Sequence, residues 1–356
     1  MRRFLCAIAA AALAIGGLTA CGEDAKPKIG VILPDSKSSP RWETADHKYL
    51  KAAFEKAGID YDIQNAQNSK TDFQTIADQM ITNGATVLMI VNLDSGTGKA
   101  VVSKARDQGV ATIDYDRYTI GGKSDYYVSF DNVEVGKLQG QGLVDCLDAM
   151  HAKKPTIAEL NGSATDNNAT LFKQGYDSVL KPKYKSGEYK KGKDADQDVP
   201  DWDAKEAGTI FEQMMTDNDN KIDGVLAAND NLGHAAISVL DKNKLNGKVP
   251  VTGQDASVQG LQDILAGDQC MTVYKPVKQE ADAAAKLAID LFKGKKEHLK
   301  ETVKDPDSGH KTPSILLQPQ SITKKNVSDV VDDGYVDAKD LCTKDLAKAC
   351  GTAGIG

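Results

Sequence analysis

A regular alternation of short apolar runs with amphipathic stretches constrains this chain more than any other feature. Residues 28–33, Lys-Ile-Gly-Val-Ile-Leu, are of the kind that a parallel strand buries on both faces. An amphipathic stretch over 42–57 follows and stops at Gly58, a helix-ending residue. Further strand signals at 61–64, 86–91, 110–113 and 127–130 are interleaved with helical ones at 73–81 and 97–108. The rhythm restarts with a helix over 133–150. It continues through strands at 156–160, 222–227, 249–252 and 271–274, with helices at 168–180, 204–216, 232–242, 258–266 and 277–292. Residues 181–201 interrupt it as a polar, charged surface excursion. Such βαβα repetition requires largely parallel sheets covered by helices on both faces. No Pro- or Ser-rich linker separates the two halves, which predicts two similar α/β domains joined by several crossings. Ligands of open α/β sheets sit at the carboxyl ends of the strands, so two sheets facing each other would form a cleft.

The first residues bear on compartment. Arg2 and Arg3 precede an apolar segment, 4–18, too short and too rich in small residues for a membrane span. It ends in Leu18-Thr19-Ala20-Cys21, which resembles a bacterial lipobox. The expectation is a signal peptide over 1–21, lipidation of Cys21, and a short polar tether over 22–27. The protein would then be secreted and held at the outer face of the cell membrane, in the periplasm or cell envelope. A spacer typical of a twin-arginine signal is missing from Arg2-Arg3-Phe4-Leu5, which favours general secretion. A length of 356 residues exceeds what one core usually serves. A net charge of −7 argues against a nucleic-acid surface. Cys6 leaves with the signal, so Cys146, Cys270, Cys342 and Cys350 remain, an even number in an oxidising compartment. No CxxC occurs, and disulfides are the better reading than a metal site.

Polar clusters follow the predicted strands one after another. They are Asp114-Tyr115-Asp116-Arg117, Ser129-Phe130-Asp131-Asn132, Asn161-Gly162-Ser163 leading to Asp166-Asn167-Asn168, Asn229-Asp230, Gln254-Asp255, and Tyr274-Lys275-Pro276. Any one of them alone is as well explained as a helix cap or turn. Six of one kind, all on the ligand-binding side, are not. A sugar hydroxyl both donates and accepts, so Asp, Asn, Arg and Lys can hold it by paired, charge-assisted hydrogen bonds. The apolar faces of a pyranose stack on aromatic rings. The chain has two tryptophans, Trp42 and Trp202, one in each predicted domain and both in loop-like positions. They fit the two walls of a sandwich.

Taken in order, several strings resemble the type I periplasmic binding proteins for sugars. They are Arg41-Trp42, Tyr115-Asp116-Arg117, Ser129-Phe130-Asp131-Asn132, Asp166-Asn167-Asn168, Lys221-Ile222-Asp223, Asn229-Asp230, Gly253-Gln254-Asp255-Ala256 and Met271-Thr272-Val273-Tyr274-Lys275-Pro276. The resemblance spans about residues 28–330 and is strongest to members that bind D-xylose. It implies two doubly wound α/β domains joined by a three-crossing hinge, with crossings near Asp131, Lys275 and Lys311-Thr312-Pro313. The N-terminal domain would then comprise 27–131 with 277–312, and the C-terminal domain 132–276 with 313–356. It implies that Arg41, Trp42, Asp116 and Arg117 contact the ligand from the N-terminal domain. Asn168, Trp202, Asn229, Asp255 and Lys275 would do so from the C-terminal domain and hinge. The segment Pro34-Asp35-Ser36-Lys37-Ser38-Ser39-Pro40 departs from the text usual in the xylose binders, which bears on the identity of the sugar. On this assignment all four cysteines fall in the C-terminal domain. Four cysteines allow three connectivities, of which Cys146–Cys270 with Cys342–Cys350 is expected, the second pair closing a short loop.

The implied role is a monomeric solute-binding protein, without cofactor or metal, that hands a monosaccharide to an ABC import permease. Binding of glucose or several sugars, and presentation of ligand to a chemoreceptor or sensor kinase, is the alternative. An enzyme is not expected, because neither GxSxG nor HExxH occurs and His47, His151, His234, His298 and His310 are scattered. Gly96-Thr97-Gly98-Lys99 lacks the spacing of a phosphate loop. The segment 217–228 has Ile222 where a calcium loop needs glycine and Ala228 where it needs glutamate. A sugar-responsive repressor would carry a helix-turn-helix head where this chain carries its apolar leader. If Cys21 bears the lipid, Cys21→Ser should release the protein from the membrane fraction while sugar binding is retained. Cell fractionation checks this, and a variant still in the membrane pellet would contradict the anchor.

Overall fold

The computed structural model describes residues 26–355, so the expectations for the leader and for Cys21 lie outside the described residues. In the first half, strands β1 (Lys28–Leu33), β2 (Tyr61–Asn65), β3 (Ala85–Ile90), β4 (Ala111–Tyr115) and β5 (Tyr126–Phe130) alternate with helices α1 (His47–Ala57), α2 (Lys70–Thr82) and α3 (Ser95–Asp107). A single π-helical turn, Trp42–Asp46, leads into α1. Helix α4 (Asn132–Ala149) opens the second half. Strand β6 (Thr156–Asn161), helix α5 (Asn167–Ser186), strand β7 (Lys190–Asp198), helix α6 (Ala204–Asp217) and strand β8 (Gly224–Ala227) come next. Helices α7 (Asp230–Lys242) and α8 (Val258–Ala266), strand β9 (Met271–Tyr274) and helix α9 (Val277–Phe292) follow. The chain ends with β10 (Glu301–Lys304), β11 (Lys311–Leu317), β12 (Gln320–Thr323), α10 (Ser328–Asp332), α11 (Ala338–Leu341) and α12 (Ala347–Thr352).

Seven strands form the first sheet in the order β10-β11-β5-β4-β3-β1-β2, parallel except for the β10–β11 pairing. Its central strands are almost wholly buried, whereas the edge strands β2 and β10 are half-buried or exposed. Helices α1 and α9 pack on one face through Leu50, Phe54, Ala281, Ala284 and Ala288. Helices α2 and α3 pack on the other through Phe73, Met80, Val101 and Ala105. The second half is built on the parallel strands β7-β6-β8 and a separate core around Leu143, Phe172, Phe211 and Leu240. Among the described residues no helix is long and apolar enough to cross a membrane.

Three sequence expectations are corrected. The segment 181–201 is not a structureless excursion. Helix α5 runs through Pro182 to Ser186, and Lys190–Asp198 forms the edge strand β7. Only Gly192 and Ala195 of that strand are buried, so it has no apolar alternation to read, as befits a charged edge. The strand expected at 249–252 is reduced to one parallel bridge, Val225↔Val251. The third crossing does not fall at Lys311-Thr312-Pro313, nor does a domain boundary fall at 312/313. Strand β11 runs straight through, and Ser314–Leu317 pair with β5. Proline lacks a backbone N–H and reads as a break. Pro313 lies before the first rung to β5, so that ladder tolerates it. The chain leaves the seven-stranded sheet for β6 after Phe130, and passes between that sheet and the separate antiparallel pair β9–β12 after Tyr274 and between Leu317 and Gln320.

Both expected disulfides are formed. Cys146–Cys270 joins α4 to the residue before β9 across 124 residues, and Cys342–Cys350 closes a loop of separation 8 in the C-terminal segment. That segment folds over α8 through Val330, Leu341, Cys350 and Ile355. In a chain-entropy account, cross-links that close longer loops stabilise more, within a range of about 2–5 kcal/mol. Cys146→Ser/Cys270→Ser should therefore lower unfolding stability more than Cys342→Ser/Cys350→Ser, toward the upper and lower ends of that range. Urea unfolding of both variants measures it, and equal losses would contradict the loop-length argument.

Candidate functional site

A small cavity of about 30 Å³, lined by buried residues, lies between the seven-stranded sheet and the second half of the molecule. Its walls include all nine residues expected from the sequence: Arg41, Trp42, Asp116, Arg117, Asn168, Trp202, Asn229, Asp255 and Lys275. Seven come from the segments that follow β1, β4, β7, β8 and β9, Asn168 from the first turn of α5, and Asp255 from the segment between α7 and α8 after Val251, which bridges to β8. Ser38, Ser39, Asp166, Phe172 and Gln254 also line it and were not among the expected contacts. Asp166 and Gln254 stand inside clusters that the sequence marks. Phe172 sits on an apolar face of α5 and has no signal separating it from core. Ser38 and Ser39 lie in the segment that departs from the family text.

The floor of the cavity is a buried charge network. Arg41 gives Nε and Nη2 to Asp46 (2.8 and 2.7 Å), Nη2 to Glu280 (2.5 Å) and Nη1 to Asp116 (2.9 Å). Lys275 Nζ stands 3.4 Å from both Asp116 and Asp255. Arg117 pairs with Asp166 at 3.0 Å. Burial alone would raise the Asp116 carboxyl, but Lys275, Arg41 and Arg117 together hold it below the usual carboxylate range. Burial pushes Asp166 up even with Arg117 beside it, and pushes Glu280 up to about 8 against the pull of Arg41. Lys275 keeps its charge because Asp116 and Asp255 outweigh its desolvation.

Some expected contacts are already committed within the protein. Asn168 donates Nδ2 to Asp116 O and Oδ1 (3.0 and 3.1 Å) and accepts from Asn132 Nδ2 (2.9 Å). Asn229 donates to Ser38 O (3.0 Å) and accepts from Leu232 N as the cap of α7. Two acceptors are left open. Gln254 Oε1 and Asp255 Oδ1 are buried and have no hydrogen-bond partner among the described residues. With each cation facing a carboxylate and acceptors to spare, the cavity suits a neutral molecule rich in hydroxyl donors better than an anion.

The aromatic walls are wedged in place. The Arg41 and Arg117 guanidinium carbons lie 4.5 and 5.6 Å from the centre of the Trp42 ring, whose Nε1 donates to Ser38 Oγ (3.2 Å). Trp202 meets Phe172 edge-on at 6.3 Å and donates Nε1 to Asp166 (3.2 Å). Several lining residues take left-handed backbone angles: Asp116 (φ 60), Trp202 (φ 58) and Asp255 (φ 94). Such angles cost free energy in residues other than glycine and persist only where the surroundings hold them. Under Gln254 and Asp255, buried Asp230 accepts from Ser257 N, Gln269 Nε2 and Thr272 Oγ1, each at 2.8 Å. A Cβ at Gly253 would sit 2.0 Å from Asp230 Oδ1, which explains the glycine that opens Gly253-Gln254-Asp255.

Residues 29–296 match the family described as periplasmic binding protein domain. The chain is 36% identical to the D-xylose-binding periplasmic protein of Escherichia coli, over 86% of this chain and 90% of that protein. It is 33% identical to a multiple sugar-binding periplasmic receptor of Rhizobium radiobacter, over 96% of this chain and 100% of that protein. Among solved structures it resembles a carbohydrate transporter solute-binding protein from Chloroflexus aurantiacus in complex with D-glucose. The TM-score is 0.80 at 28% identity, covering 88% of this chain and 98% of that one. These relatives are binding proteins, not enzymes.

Gly162 has no room for a side chain, because a Cβ there would stand 2.1 Å from Trp202 Cη2. Gly162→Ala should therefore displace the indole, shift the fluorescence contributed by one of only two tryptophans, and cost about 1–3 kcal/mol of stability. An unchanged emission spectrum and melting temperature would show that Trp202 does not rest on Gly162.

Proposed function

We propose that this chain, which belongs to the periplasmic binding protein family, captures a monosaccharide, D-xylose foremost, and delivers it to an ABC import permease. The observation that carries this reading is the cavity itself. Paired cations, open acceptors at Gln254 Oε1 and Asp255 Oδ1, and Trp42 and Trp202 in its walls suit a neutral polyol with an apolar face. The nine lining residues expected from the sequence are proposed as ligand contacts, with Asn168 and Asn229 acting mainly by joining the two sides of the cleft.

Two domains are proposed to move about the three chain passages, 27–131 with 277–317 against 132–276 with 318–356. The first contributes six lining residues and the second eight, so a ligand touching both binds the closed form better and shifts the population toward it. The closed face would be what the permease recognises. Lipidation at Cys21 and an extracytoplasmic location complete the proposal.

The 36% identity to a D-xylose-binding protein supports the pentose. A second reading, glucose or several sugars, with or without presentation to a sensor, draws support from the multiple sugar-binding receptor and from the glucose-bound structure. The two sugars differ by one hydroxymethyl group, and the tightly closed cleft, with about 30 Å³ of free space, favours the smaller of them. Isothermal titration is expected to give D-xylose at least about tenfold tighter binding than D-glucose, roughly 1.4 kcal/mol. Equal or tighter glucose binding would move the protein to the second reading. Absence of binding by every pentose and hexose tried would overturn the sugar reading itself.

A further inference from the structure

The loop 34–40 reaches across the cleft and makes four direct bonds to the opposite side, the longest of them from Asn231 Nδ2 to Ser38 O (3.4 Å). Asn229 Nδ2 donates to Ser38 O (3.0 Å), Asn231 Nδ2 donates to Lys37 O (3.0 Å), and Ser39 Oγ donates to Asp255 Oδ2 (2.9 Å). The loop is rigid from its own side. Asp35 gathers Lys37 N, Ser38 N and Ser38 Oγ at 2.7, 2.6 and 2.8 Å, and Asn65 Nδ2 holds Asp35 O at 2.9 Å. Ser39 and Asp255 are both buried, so their hydrogen bond forms away from competing water.

We propose that Ser39 is a positioning residue for the ligand-binding carboxylate of Asp255, which reaches its binding orientation only when the two sides of the cleft meet. The inference rests on the sugar reading above and extends it. Asp255 sits at φ 94, and its carboxylate has two distinct oxygens. Oδ2 is taken by Ser39, while Oδ1 stands 3.4 Å from Lys275 and accepts no hydrogen bond. Holding Oδ2 turns Oδ1 toward the cavity with lone pairs available for a hydroxyl. The acid thus belongs to one half of the molecule and the group that aims it to the other. An open cleft leaves Asp255 free to rotate, and closure both encloses the sugar and completes its acceptor.

The test is titration of the secreted protein with D-xylose and D-glucose, comparing parent and variants that melt at the same temperature. Ser39→Ala is expected to weaken binding of the preferred sugar about tenfold, the size of one buried hydrogen bond to a charged group. Ser39→Thr, which keeps the hydroxyl, should restore affinity to within about threefold of the parent. In an Asp255→Ala background, Ser39→Ala should change affinity by less than about twofold, since nothing is left to aim. Parent-like binding by Ser39→Ala overturns the inference while leaving the sugar reading intact. So does a full tenfold loss in the Asp255→Ala background. A parent that binds neither these nor any other monosaccharide overturns both.

Discussion

The structure around the cleft depends on one buried guanidinium. Arg41 is 1% exposed and touches Asp46, Glu280 and Asp116, which come from its own turn, from α9 and from the end of β4. Burying a charge costs several kcal/mol unless partners surround it, and removing a partner from such a group typically costs about 3–5 kcal/mol. The network therefore tolerates little rearrangement. Through Asp116 it extends to Lys275 at 3.4 Å, and Lys275 reaches Asp255 on the far side. A single chain of charges links the first sheet, the second chain passage and the second half of the molecule.

That arrangement decides what kind of ligand the cleft accepts. A cavity whose cations were uncommitted would attract phosphate or carboxylate ligands. Here Arg41, Arg117 and Lys275 are answered by Asp46, Asp116, Asp166, Asp255 and Glu280. Open acceptors remain at Gln254 Oε1 and Asp255 Oδ1, which suit the hydroxyl donors of a polyol. Strain serves the same end. Asp116, Trp202 and Asp255 are held at left-handed backbone angles by the turns and hydrogen bonds around them, which fixes where their side chains start, and Ser39 then aims the Asp255 carboxylate when the cleft is closed. Close approaches at Gly162 and Gly253 seat the Trp202 indole and the Gln254-Asp255 turn.

Local physics made much of this legible in the sequence. Buried parallel strands such as 28–33 and 86–90 announce themselves by continuous apolar runs, and the intervening helices by their period. Polar clusters directly after strands pointed to one rim, because strand ends in such sheets share a side. The resemblance placed all four cysteines in one half, and of the three connectivities then possible the structure forms the one expected. Strand β7 was not legible, since Lys190–Asp198 is charged on both faces and forms only because β6 offers it an edge. Nor was the continuation of β11 past Pro313, where the neighbouring strand, not propensity, decides that the chain stays extended.

The sequence by itself determined the α/β class, the doubling of the unit, and the residue types that gather at the strand ends. These depend on period, burial and chemistry within short windows. Tertiary structure alone decided how those residues divide their bonds. Asn168 and Asn229, expected as ligand contacts from the family resemblance, spend their donors on Asp116 and on Ser38 O across the cleft. Ser39, unremarkable in the chain, reaches Asp255 from 216 residues away. No local pattern encodes such a pairing, because it exists only when two separately built cores bring their loops within about 3 Å of each other.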